Sequence, residues 1–341
     1  NSTYVSSVGE FVNDFEKSVS EYTGAKYAIA TTNGTAALHV ALRLCGVGEN
    51  TEVITQSLTF IATCNAIRYC GAKPVLLDVD RSTLGLSPES LNTFLQDNCE
   101  VRNDGICWNK LTNSKIIACL PMHTFGFPAQ LDEIQQICSQ YNIHLIEDAA
   151  ESLGSFYKNK HTGNLGKLAI LSFNGNKIIT SGGGGMILTN NENLAKKAKH
   201  ISTTAKLPHE WNFVHDEIAF NYRMPNLNAA LGLGQMDYIH KTLDSKRSIA
   251  KNYQNWGKDN GFEFISEPKN TKSNYWLNQV LLRDKKQRDE MLKITNFNGV
   301  MTRPAWTPMH KLELNKDCQF GPMNNTEWLF ERLVSVPSSA I

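Results

Sequence analysis

Short β-rich runs alternating with helix-like stretches over the first two-thirds of this chain predict an α/β fold. The expected core is a mostly parallel sheet covered by helices on both faces. Two further observations carry that prediction. The runs IIACL (116–120) and AILSF (169–173) are almost continuously apolar, as strands buried on both faces are. The phrases NGT (33–35), EDAAES (147–152) and a lysine turn after Ser172 each follow such a run directly, and open α/β sheets bind ligands beyond the carboxyl ends of their strands.

In chain order, KYAIATT (26–32) reads as a strand, and GTAALHVAL opens a helix at Gly34 or Thr35. EVITQ (52–56) is a strand, and SLTFIATCNAI (57–67) passes through Phe60 into a helix. KPVLLDVD (73–80), SKIIACLPM (114–122), IHLIEDAA (143–150), LAILSF (168–173) and GMILTN (185–190) supply the remaining strands. Beyond Met236 the text changes to charged helical sequence, DSKRSIAKNYQNWGKDNG, and then to alternating stretches such as NYWLNQVLL. Residues 1–242 are therefore expected to form a large domain and 243–341 a smaller α+β domain.

At 341 residues the chain exceeds the size at which one core stops growing, which suits this division. Apolar residues make up 41% and charged residues 20%, as in a soluble globular protein. The net charge of +1, with lysine and arginine dispersed, gives no electrostatic footprint for nucleic acid or an acidic membrane and favours small-molecule partners. The eight cysteines show no CxxC spacing, so neither a zinc site nor a disulfide framework is indicated. No apolar run reaches the roughly 20 residues that span a bilayer, and no signal peptide opens the chain, so a cytoplasmic location is expected. The chain runs from Asn1 to Ile341, and the natural protein is expected to extend past one or both ends.

Several residues invite chemistry. Lys177 stands in a short polar turn closed by four glycines (182–185), where an amine can act as a nucleophile or a Gly run can simply turn the chain. Asp148, at a strand end, either faces a cationic partner or caps a following helix. Glu151 would then be a first-turn acid. Gly34 and Thr35 at a helix N-terminus suit a phosphate, and Ser172, five residues before Lys177, could share it. Phe60 is either a core residue or an aromatic that stacks on a flat ring.

The order NGTAAL, TFIATCNAI, GAKPVLLDVD, HTFGFPAQLDEI, EDAAES, SFNGNK, GGGGM and NYRMPNLNAALGLGQM resembles the DegT/DnrJ/EryC1/StrS family of pyridoxal phosphate-dependent sugar aminotransferases. The resemblance runs from about Val8 to Met236 and more loosely beyond. It implies a fold type I, aspartate aminotransferase-like architecture with pyridoxal 5′-phosphate as cofactor. By the same resemblance Lys177 is the Schiff-base lysine, Asp148 pairs with the pyridine nitrogen, and Ser172, Gly34 and Thr35 hold the phosphate. Phe60 stacks on the ring, and Asn221 reaches the phosphate of a neighbouring subunit, which implies a homodimer with shared sites. Glu151 and Arg223 are candidate substrate contacts. His310 is a third, although a lone histidine is more often structural. The roles of His123 and Trp306 stay open.

Where relatives carry an acid after the lysine in a TTGEGG-like phrase, this chain reads SGGGG (181–185), and Gly184 is expected in the acid's place. The SFNGNKII and GGGG wording resembles the branch acting on UDP-linked 4-keto-6-deoxy sugars in bacillosamine and legionaminic acid pathways. That implies amino transfer from L-glutamate to C4 of such a sugar, with the N-terminal segment and the partner subunit helping to seat it. Family members that dehydrate sugars replace the lysine by histidine, so Lys177 argues against dehydration. The set Asp148, Ser172 and Lys177 argues against a silent sugar-binding module.

Overall fold

The computed structural model describes residues 9–340; Val8 and the rest of the N-terminal segment expected to help seat the sugar lie outside them. Helix α1 (Glu10–Thr23) leads into strand β1 (Tyr27–Thr31). Helix α2 (Gly34–Leu44) follows, capped by the Asn33 side chain, which accepts from the Ala36 N–H. Strand β2 (Thr51–Gln56), helix α3 (Ile61–Tyr69) and strand β3 (Lys73–Leu77) come next, then β4 (Lys115–Leu120), β5 (His144–Asp148), β6 (Leu168–Ser172) and β7 (Gly185–Thr189).

These strands lie in the order β1-β7-β6-β5-β4-β2-β3. The four pairs from β6 to β3 are parallel, whereas β7 runs antiparallel to both of its neighbours. The connection fits this reversal: residues 173–184, which join β6 to β7, hold no helix of the kind that usually carries a parallel crossover. The apolar runs do occupy the interior of the sheet. Along β6 and β7, Leu171, Met186 and Leu188 pack with Phe15, Val19 and Phe173 on one face, while Ile170 and Ile187 pack with Leu38, Leu42 and Ile201 on the other.

Beyond the sheet, helix Ile239–Asn260 runs unbroken through the expected boundary at 242/243. A second sheet pairs Glu263–Phe264, Asn278–Leu281, Leu333–Val336 and Arg303–Pro304. Residues 309–323 return to the first sheet: the Leu76 N–H donates to the Gln319 carbonyl, the Gly321 N–H to that of Leu76, and Met309, Cys318 and Met323 pack on Cys64 and Leu76. All eight cysteines are buried free thiols. Among the described residues no helix is long and apolar enough to cross a membrane.

Candidate active site

Strands β1, β2, β4, β5 and β6 point the same way, so the segments leaving their carboxyl ends converge. There they line a cavity of about 310 Å³ with Asn33, Gly34 and Thr35, Phe60 and Ala62, Met122, Asp148 and Glu151, Ser172 and Lys177. Seven of the ten candidate residues, Gly34, Thr35, Phe60, Asp148, Glu151, Ser172 and Lys177, therefore meet in one place.

Asp148 is buried at the end of β5. One carboxylate oxygen accepts from the Thr63 hydroxyl at 2.8 Å and the other from the Ala150 N–H at 3.2 Å. Burial raises its pKa against the lowering effect of those two bonds and of Lys177. No helix follows it: residues 149–154 form turns. The expected helix cap at Asp148 and first-turn acid at Glu151 are corrected accordingly. Gly154, with φ of +84° and Leu243 Cδ1 2.6 Å from where its Cβ would stand, keeps the chain in this tight path.

Glu151 is turned inward instead. It accepts the Phe125 N–H at 2.9 Å and lies 3.4 Å from the Lys177 amine. Burial pushes its carboxyl up to about 7, with the charge of Lys177 opposing and that of Asp148 assisting. Phe125 offers that N–H from a left-handed backbone, φ of +57°, uncommon for a bulky residue. Such strain concentrates where a site needs one particular geometry.

At the start of α2 the N–H groups of Gly34 and Thr35 bond to no acceptor among the described residues. A helix N-terminus with free N–H groups favours an anion. A Cβ at Gly34 would lie 3.1 Å from the Ser172 Cβ, so glycine leaves the space between α2 and Ser172 open. A buried carboxylate, an anion cradle and an amine thus line one cavity, a donor set that fits pyridoxal phosphate: an acid for the ring nitrogen, donors for the phosphate and an amine for the aldehyde. Phe60 is 47% exposed at the mouth, not a core residue, and its ring centroid lies 6.0 Å from that of Trp306.

Three candidates stand apart from the cavity within this chain. Arg223 is spent on its own backbone, donating to the Thr203 carbonyl at 2.7 Å and to the Thr204 hydroxyl. Asn221 is exposed and bridges to Thr203. His310 is paired with the Ser57 hydroxyl at 2.7 Å and approaches Glu327, so it ties the returning segment to the end of β2. His123, buried, meets Glu147 at 3.1 Å and accepts the Ala129 N–H, a structural pairing.

The lysine turn also reads differently in three dimensions. A Cβ at Gly184 would lie 2.3 Å from Ser181 Oγ and 2.7 Å from Met224 Cε, so an acid in the place expected for one needs both side chains to move aside; the nearest atom to a Cβ at Gly183 is 3.9 Å away. Sequence reasoning missed Thr63, Asn174, Asn176 and Trp276, and left Trp306 without a role. Trp276 and Trp306 lie far along the chain, and only the fold brings them to the cavity.

A family model described as the DegT/DnrJ/EryC1/StrS aminotransferase family matches residues 1–340. The chain is 36% identical, over 99% of its length and 86% of the relative's, to EpsN of Bacillus subtilis, named for a pyridoxal phosphate-dependent aminotransferase. It is also 36% identical to the GDP-perosamine synthase of Caulobacter vibrioides, covering 90% of this chain and 79% of that one. A crystal structure of a family aminotransferase from Brucella abortus superposes with a TM-score of 0.87 at 26% identity, covering 99% and 87% of the two chains. None of these names carries the UDP-linked sugar expected from the wording of the lysine turn.

Proposed function

From the premise that this chain belongs to the DegT/DnrJ/EryC1/StrS aminotransferase family, we propose that it moves an amino group from L-glutamate to C4 of a nucleotide-linked 4-keto-6-deoxy hexose, using the cavity at the sheet edge. It is a pyridoxal phosphate-dependent sugar aminotransferase. The observation that carries the site assignment is the convergence of Lys177, Asp148, Ser172 and the start of α2 on one cavity.

When bound, the cofactor supplies an electron-withdrawing ring that stabilises negative charge on a carbon next to nitrogen. Asp148 accepts a hydrogen bond from the ring nitrogen and keeps it protonated, while Thr63 and the Ala150 N–H hold the carboxylate in position. Ser172, Gly34 and Thr35 bind the phosphate, and Phe60 covers the ring. Lys177 anchors the aldehyde and, once its amine is free, carries a proton at Nζ as a general base. Glu151, 3.4 Å away, takes up or returns charge as that amine changes state. Asn221 is assigned to the neighbouring subunit's phosphate in a homodimer.

UDP is the nucleotide expected from the lysine-turn wording; the GDP-perosamine synthase relative favours GDP as a second reading. Visible spectroscopy tests the core of the assignment. Wild type mixed with pyridoxal phosphate is expected to gain the absorption band of a lysine-bound cofactor, glutamate to abolish it, and Lys177→Ala never to show it. A wild type without the band removes the assignment, and a band indifferent to glutamate removes the donor. Turnover of UDP- and GDP-linked 4-keto sugars side by side then decides the nucleotide.

A further inference from the structure

Lys177 is held from a direction that no part of the proposed reaction uses. Its amine lies 3.9 Å from the ring centroid of Trp276, within the range where an ammonium is attracted to an indole face. The same indole donates from Nε1 to the carbonyl of Asn176, the residue before the lysine, at 2.7 Å. One side chain, 99 positions along the chain, therefore touches both the amine and the backbone that carries it.

Trp276 is itself fixed at both ends of its peptide. Its N–H donates to Asn274 Oδ1 at 2.8 Å, and its carbonyl accepts from the Lys246 amine at 2.9 Å. Lys246 is buried, and burial pushes its pKa down to about 8. A buried lysine is costly, and this amine is satisfied by the carbonyl that seats Trp276.

We propose that Trp276 is a positioning residue for Lys177, holding the lysine turn and its free amine in one place against the cavity wall, and that Lys246 seats Trp276 for this task. The inference rests on the reading of Lys177 as the cofactor's anchor. Glu151 also reaches the amine, at 3.4 Å, so the nitrogen has both a carboxylate and a ring as neighbours. Losing the ring frees the amine to sample other rotamers, and misplacement of a reacting atom slows reaction.

Trp276→Leu removes the ring face and the N–H; Trp276→Phe keeps a face but loses the bond to Asn176; Lys246→Met keeps the stem and loses the donor to Trp276. Covalent attachment of pyridoxal phosphate to each cofactor-free protein, trapped over time with borohydride and counted by intact mass, reads the amine's placement without turnover. Attachment is expected to slow about three- to thirtyfold in Trp276→Leu and less in the other two, with kcat falling and the KM for the sugar held. Attachment at the wild-type rate in a Trp276→Leu protein with unchanged circular dichroism and thermal midpoint overturns the proposal. So does a raised KM with unchanged attachment, which would make Trp276 a substrate contact. Should Trp276→Leu fail to fold, the Phe and Met variants decide by the same rate. Failure of the wild type to attach at all overturns the Lys177 assignment as well, and so separates the two failures.

Discussion

Buried beside Lys177 and close to Asp148, the Glu151 carboxyl titrates at about 7 in the fold, against an ordinary 4.5. Between those values the folded chain keeps a proton that the unfolded chain has lost. The stability this gives is complete below pH 4.5 and is lost as the pH rises through 7. The difference is worth about 3 kcal/mol. Urea unfolding of the cofactor-free protein at pH 5 and pH 8 is expected to show wild type losing about that much more than Glu151→Gln. Parallel losses in the two proteins would show that Glu151 does not titrate in this range. At this scale the sequence was informative wherever a residue abuts a strand end: Lys177, Asp148, Ser172, Gly34 and Phe60 were legible because β5, β6, β1 and β2 deliver them. Trp276 was not, because NYWLNQVLL reads as an ordinary alternating strand and nothing local marks its indole as the neighbour of a distant lysine.

Elements explain what single residues could not. The four glycines from 182 to 185 look alike as text and differ by position. Gly185 lies opposite both Thr31 and Ser172, and a Cβ on it would stand 2.4 Å from the Asn33 carbonyl and 2.7 Å from the Gly34 nitrogen. Backbone cannot swing aside as a side chain can, so β7 needs glycine there to pass the entry to α2. Gly185→Ala is expected to destabilise by about 1–3 kcal/mol or more, in the manner of overpacking, and to weaken pyridoxal phosphate binding by displacing Gly34. Gly183→Ala, whose Cβ would meet nothing nearer than the Thr32 carbonyl at 3.9 Å, is expected to stay within about 0.5 kcal/mol of wild type. Urea midpoints check both, and equal effects would mean that the run is only a flexible turn. The fold class was readable from alternating strands and helices, and the reversal of β7 was implicit in the missing helix before GMILTN. The turns after Asp148 were not readable, because EDAAES carries the same cap-and-acid pattern that opens many helices.

For the whole molecule, the question is whether one chain completes the site. Asn221 is exposed and is not among the residues lining the cavity at the strand ends, yet the Tyr222 carbonyl accepts the Thr32 N–H, so this segment passes directly beside the strand end that leads into the proposed phosphate cradle. Nearby apolar side chains face outward: Trp211 is 71%, Phe213 77% and Ile218 94% exposed. In the proposed homodimer a two-fold partner would meet this segment with the same surface. If Asn221 serves the neighbouring cradle, each site draws Lys177 from one subunit and Asn221 from the other. Mixing inactive Lys177→Ala and Asn221→Ala proteins after dissociation then builds heterodimers with one wild-type site and one doubly altered site. Random pairing makes half of the dimers mixed, so recovery of about a quarter of wild-type activity is expected. Recovery fails if Asn221 acts within its own chain, because no pairing of these subunits would then assemble an intact site.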